Sequence, residues 1–256
     1  MKLLFIPNWN GHLYLQEEED KSVTKLFEDI DFENKELLKI EKNNIKKTNK
    51  IIENSFKNNY KNNNKIISIT GDHSNSYPLI NAFSKQQKES NKFKLIIFDA
   101  HPDVEVSTES ISHEDYLRNL VDNNIIKPEN IYLFGIRTFS RTEFEYLQER
   151  QINYFTITDI LRDKEKIKKI LNEITVSNLD IYLSIDIDVL DPDYAPGTYY
   201  TEWCGLYIDE LIDFIEIIKS KINCADITEY YSKKDDKNKT TLKNTIKLVK
   251  NLLKTY

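Results

Sequence analysis

A chain of 256 residues, 39% hydrophobic and 11% aromatic, has enough apolar side chain for the core of a large α/β domain. Its formal charge of −6 argues against a nucleic-acid partner, which asks for a basic excess, and the Lys/Asn-rich patches KNNIKKTNK and SKKDDKNK suit solvated surface. Cys204 and Cys224 form no CxxC pair, which argues against a zinc–thiolate centre, and no signal-peptide core or membrane-length apolar run occurs; a cytoplasmic chain with no membrane partner is expected.

Along the chain, short apolar runs alternate with segments of helical period. KLLFI, KIISIT, FKLIIFDA, NIYLFGI, INYFTI, DIYLSIDIDVL and CADITEYY predict strands. Most are apolar throughout, as strands buried on both faces should be. Helices are predicted over Leu37–Phe56, Tyr77–Gln87, Glu114–Asn123, Thr142–Arg150, Ile160–Ile174, Asp209–Lys219 and Leu242–Leu253. Strand–helix alternation with short connections implies a mostly parallel sheet with helices on both faces. With no internal repeat and no Pro/Gly-rich linker, residues 1–256 are expected to form a single domain.

In such sheets the ligand sits outside the carboxyl ends of the strands. His73 follows KIISIT, and Asp99, His101 and Asp103 follow FKLIIF at every second position. Asp186 and Asp188 stand two apart in DIYLSIDIDVL, and Glu229 follows CADIT. If each chain stays extended, residues at i and i+2 leave on one face. Carboxylates inside apolar strands are unfavourable unless paired, hydrogen-bonded or bound to metal. Four carboxylates and two imidazoles make a hard, oxygen-rich donor set, which suits Mn²⁺ better than structural zinc. Four negative charges offset two divalent ions, and such a pair acidifies water to a nucleophile at neutral pH.

The motifs GDHSNSYPL, FDAHPDV, SIDIDVLDP followed by YAPGT, and DITEYY resemble those of the arginase/agmatinase (ureohydrolase) family, in the family's order. GIR at Gly135–Arg137, with Glu143 following, resembles another family segment. The resemblance implies an arginase-like three-layer αβα fold with two Mn²⁺ per chain. One ion would be held by His73, Asp99, Asp103 and Asp188, the other by Asp99, His101, Asp186 and Asp188. It also implies that His113 serves in proton transfer and that Glu229 holds the substrate guanidinium. Asp99, shared by both ions, then counts with these two as catalytic, while Glu143 joins Glu229 and His113 in substrate binding. Asp72 and Asp191 are candidates for orienting the ligands. His12 has no motif context and is given no role.

Departures from the family bear on the substrate. Ser140 stands where arginases carry an aspartate for the α-amine, so free L-arginine is a doubtful substrate. Tyr199, Tyr200 and Trp203 add aromatic bulk after YAPGT, and PNWNGHLYLQEEED replaces the usual Gly-rich loop after the first strand. The expected activity is binuclear hydrolysis of a guanidino group to urea and an amine. The substrate is a small guanidino molecule or an arginine-containing peptide, with a homo-oligomer left open. An agmatinase, a formiminoglutamase-type hydrolase and a deacetylase-like amide hydrolase with a single zinc are the alternatives.

Overall fold

The computed structural model describes residues 1–14, 21–41, 44–60, 65–87, 89, 92–107 and 110–254. Its strands are β1 (Lys2–Ile6), β2 (Lys35–Leu37), β3 (Ile66–Thr70), β4 (Lys94–Phe98), β5 (Ile131–Ile136), β6 (Asn153–Thr156), β7 (Ile181–Asp186) and β8 (Ile222–Thr228). Among the described residues the helices are α1 (Ser22–Asp29), α2 (Ile45–Asn59), α3 (Ser76–Ser84), α4 (Tyr116–Asp122), α5 (Arg141–Arg150), α6 (Ile157–Arg162), α7 (Lys164–Val176), α8 (Ile208–Ile218) and α9 (Thr240–Leu253). The strands form one sheet in the order β2-β1-β3-β8-β7-β4-β5-β6, and every pairing is parallel.

Period-two alternation splits each strand between two cores. Leu3 and Phe5 of β1, with Ile96 and Phe98 of β4, pack on one face against α1 and α6 to α9. Leu4 and Ile6, with Leu95 and Ile97, pack on the other against α2 to α5. The result is the three-layer α/β architecture, and the near-continuous apolar runs reflect burial on both faces. Among the described residues no helix is long and apolar enough to cross a membrane.

Two helix expectations are corrected. The segment from Leu37 to Phe56 does not form one helix. Lys35–Leu37 pairs with β1 as an edge strand, Leu38 N donates to Phe5 O, and α2 starts only at Ile45. There Asn44 caps it by accepting from Lys47 N. Ile160–Ile174 is broken at Asp163, whose backbone is non-helical (φ −150°, ψ 79°) and whose side chain accepts from Lys166 N to start α7. The short α1 and β2 carry too few periodic residues to be seen in the sequence.

Candidate metal centre and active site

β3, β8, β7 and β4 are consecutive in the sheet, so their carboxyl ends open side by side. The expectation that the ligands leave on an extended strand is corrected. β4 ends at Phe98 and β7 at Asp186. At both ends an aspartate side chain folds back onto the backbone two residues on. Asp99 Oδ1 accepts from His101 N at 2.7 Å, and Asp186 Oδ1 accepts from Asp188 N at 2.8 Å. The i, i+2 spacing is thus the mark of an Asx turn rather than of strand alternation. Asp103 and Glu229 sit at φ 51° and 66°, in the left-handed region that side chains seldom adopt and that functional sites hold at some strain.

These turns aim six side chains at one another. His73 Nδ1 lies 3.0 Å from Asp99 Oδ2, 3.0 Å from Asp103 Oδ2 and 3.3 Å from Asp186 Oδ2. His101 Nδ1 lies 3.0 Å from Asp188 Oδ2 and 3.7 Å from Asp99 Oδ1. His73, Asp99 and Asp186 form one group able to hold a metal ion, and Asp99, His101 and Asp188 form another. Asp99 is common to both. Asp186 keeps company with His73 and Asp188 with His101, a different division from the one the resemblance implies.

The donor set fits a pair of hard cations. His73 Nδ1 and Asp99 Oδ2 are buried and make no hydrogen bond. Such orphaned polar atoms are destabilising unless something not in the polypeptide completes them. Ser184 Oγ donates to Asp226 Oδ1 at 2.6 Å and therefore accepts from His73 Nε2 at 3.0 Å. That leaves Nδ1 as the nitrogen facing three carboxylates, an arrangement that calls for positive charge. Burial pushes Asp99 well above the usual carboxylate range, helped by Asp103, Asp186 and Asp188. Burial and Asp188 push Asp186 up to about 7. Burial works in the same direction on Asp188, but His101 and Arg137 outweigh it and hold that carboxyl down at about 2.

The Ser184–Asp226 pair escaped sequence reading. Its signal was present: Ser184 shares the β7 face that ends in Asp186, and Asp226 lies opposite it in register on β8. Tyr182 also donates to Asp226, at 2.6 Å.

A cavity of about 400 Å³ opens over the cluster, and His113, Glu143 and Glu229 all line it. Glu229 Oε1 accepts from His73 N at 2.8 Å, and its carboxyl is pushed well above its ordinary range by burial, then by Asp186 and Asp72. His113 Nδ1 lies 3.1 Å from the Gly11 carbonyl, which can only accept, so Nδ1 carries the proton. The buried Nε2 makes no hydrogen bond. His12, to which no role was given, stacks flat on His113 and meets Tyr199 edge-on. The loop after β1 therefore builds the site: Asp72 accepts from Gly11 N at 3.0 Å, and a Cβ on Gly11 would run into Ser74 Oγ.

Glu143 does something other than expected with its charge. It closes a capping box with Ser140 at the start of α5 and also accepts from Val104 N at 3.3 Å, so backbone donors engage both its oxygens. Burial raises it to about 7. Asp191 accepts from Gly205 N and Asp193 N, bracing the loop after β7 rather than a ligand. Arg137 ties that loop down, with Nη2 donating to the carbonyls of Asp188 and Glu202.

Comparison with known proteins agrees with this geometry. The model of the arginase family matches residues 11–254. An agmatinase of Bacillus cereus is 36% identical over 168 residues, 64% of this chain and 54% of that protein. An arginase of Staphylococcus aureus is 33% identical over 188 residues, 66% of this chain and 61% of that one. The chain thus spans little more than half the length of the curated relatives it matches. Among solved structures, formimidoylglutamase of Bacillus subtilis superposes with a TM-score of 0.87 at 23% identity, covering 99% of this chain and 86% of that one. The Entamoeba histolytica arginase in complex with L-ornithine gives 0.83 at 24%, covering 98% and 96%. With the fold, the strand-end cluster and the matched length in accord, the chain belongs to the arginase family.

Proposed function

We propose that the chain is a guanidino hydrolase carrying two Mn²⁺ ions, which splits the guanidino carbon from its substituted nitrogen to give urea and an amine. The observation that carries this reading is the convergence of Asp99, Asp103 and Asp186 on His73 Nδ1, beneath a cavity that also receives His113 and Glu229. His73, Asp99, Asp103 and Asp186 would hold one ion, and Asp99, His101 and Asp188 the other. Oxygen donors outnumber nitrogen and no thiolate is present, which favours manganese. When bound, the ions would acidify water to a nucleophile at neutral pH.

The chain's own residues do the rest. Glu229, buried and anionic when opposed by a cation, pairs with the planar guanidinium and fixes its carbon over the cluster. His113 presents Nε2 to the cavity, where it takes up a proton released by the attacking water and hands it to the departing nitrogen. Ser140 is spent as the cap of α5, and no Lys or Arg is among the described residues lining the cavity. A tail carrying a free carboxylate therefore finds no counter-charge, which disfavours free arginine and formiminoglutamate. Glu105 and Glu114 in the lining favour, as a second reading, an agmatine-like tail that ends in an ammonium.

A single-zinc amide hydrolase needs three ligands and leaves half of this cluster unexplained. The test is urea release from agmatine, L-arginine, guanidinobutyrate and arginine-containing peptides with Mn²⁺ present, alongside metal content per chain. Urea from at least one substrate and two manganese ions per chain are expected. No urea from any of them, or one zinc per chain, refutes the reading.

A further inference from the structure

Among the described residues nine large hydrophobic side chains are exposed: Leu13, Tyr14, Val106, Phe139, Phe144, Leu161, Val176, Trp203 and Tyr207. Six of them belong to the segments that build one feature. Tyr14 and Phe139 line the catalytic cavity, and Leu13, Val106, Phe144 and Trp203 each adjoin in sequence a residue that lines it. Phe144 also stacks on Phe139, ring centroids 6.1 Å apart. They come from the loops after β1, β4, β5 and β7 and from the start of α5, so the collar is assembled from separate parts of the chain. Trp203 is 70% exposed and Val106 58%. Exposed apolar side chains gathered on the segments that build a site mark a place where something apolar docks.

Inside the collar the charge is negative. Glu105, Glu114 and Glu202 line the cavity, with no Lys or Arg among the described lining residues. A second copy of this chain is a poor occupant, because a two-fold contact sets each patch against itself and would bring glutamates to glutamates. Free arginine would bring a carboxylate to the same glutamates. Agmatine satisfies the charge but leaves the collar uncovered.

We infer that the collar docks a polypeptide, and that the guanidino group entering the cavity belongs to an arginine side chain flanked by apolar residues. The inference rests on the guanidino-hydrolase reading and narrows its substrate. Within a chain both ends of the arginine are amides, so no free carboxylate meets the glutamates, and the neighbouring side chains cover the collar. In the reaction, water oxygen bonds to the guanidino carbon, the bond from that carbon to Nε breaks, and Nε leaves with a proton. Urea departs and an ornithine side chain remains in the peptide.

The test uses the full chain loaded with Mn²⁺ and two end-blocked peptides, one with arginine between aromatic or aliphatic residues, one with arginine between glycines. Binding is read by anisotropy of labelled peptide, turnover by urea and by mass. Binding and kcat/KM about tenfold or more above those of the glycine-flanked peptide are expected. Trp203→Ser with Val106→Ser should erase that advantage while agmatine turnover holds. Equal handling of the two peptides, preference for agmatine or free arginine, or a dimer in sedimentation that the double variant dissociates would each overturn the inference. If no substrate yields urea but flank-dependent binding persists, the hydrolase reading fails and the docking surface stands.

Discussion

His12 lies face to face on His113, the ring centroids 4.3 Å apart and the planes 11° from parallel. Burial, then the neighbouring His113 and Lys234, hold the His12 pKa down to about 3, so the ring is neutral at any working pH. Its Nδ1 accepts from Tyr14 N at 3.2 Å, which fixes the plane. In the proposed reaction, a flat, neutral neighbour holds the His113 ring in place for proton transfer while the Gly11 carbonyl holds its other nitrogen. His12→Ala should therefore lower kcat by about 10- to 100-fold with KM little changed, since positioning rather than binding is lost. His12→Phe keeps the stack and should retain most of the activity. Steady-state kinetics on both variants check this; equal losses would show that the imidazole itself, and not the stack, is what His113 requires.

Stability without metal should run against the usual trend with pH. Asp99 and Glu229 are held well above the carboxylate range and Asp186 is at about 7, so the native state keeps protons that an unfolded chain releases near pH 4. The stabilisation is complete below that pH and is lost as pH rises through about 7. Asp188, held down at about 2, acts in the opposite sense, but only as pH falls below about 4. Metal binding requires the deprotonated ligands. The rise in Tm on adding Mn²⁺ should be small near pH 5.5 and largest near pH 8. Thermal melts of metal-free and loaded protein at the two pH values decide it, and a shift independent of pH would contradict the picture.

Much of this site is legible in the sequence because its ligands succeed short apolar runs whose strand character is unambiguous. The chain reads correctly up to Phe98 and Ile185, where burial on both faces dictates residue type. The turn beyond each of these strands is legible in its residues but not in its geometry. Asp99 and Asp186 reach the cluster through Asx turns, which mimic the spacing of an extended strand without its direction. His12 is illegible because its partner is 101 positions away and stacking leaves no periodic trace. The edge strand β2 and the break at Asp163 are hidden for a related reason: three residues of strand or one capping aspartate change no hydrophobic period.

The Asp226–Ser184–His73 chain should govern metal affinity more than chemistry. Ser184 Oγ accepts from His73 Nε2 and donates to Asp226, which holds the ring with Nδ1 aimed at the carboxylates. Ser184→Ala removes the acceptor and takes one donor from the buried Asp226, which keeps Tyr182. Mn²⁺ affinity should fall about 10- to 100-fold, as losses behind a ligating histidine do. Activity at saturating Mn²⁺ should recover most of its wild-type value. Titration calorimetry of the metal-free protein measures the first, and urea release across a Mn²⁺ series the second. Unchanged affinity would mean that His73 is oriented by its strand-end turn alone.

Glu229→Gln separates what the residue does for the fold from what it does for substrate. The amide oxygen can still accept from His73 N, so the bond observed at 2.8 Å survives. The charge that pairs with a guanidinium does not, and kcat/KM should drop about a hundredfold, the scale of a lost charge-assisted pair. Stability should move the other way. Burial, Asp186 and Asp72 all oppose ionisation of this carboxyl, so near pH 8 the metal-free variant should melt above the parent, and near pH 4 the two should coincide. A variant that loses activity and stability together would show that Glu229 serves the fold rather than the substrate. Opposite signs are expected, because a carboxylate held among others at φ 66° is destabilising until a cation enters.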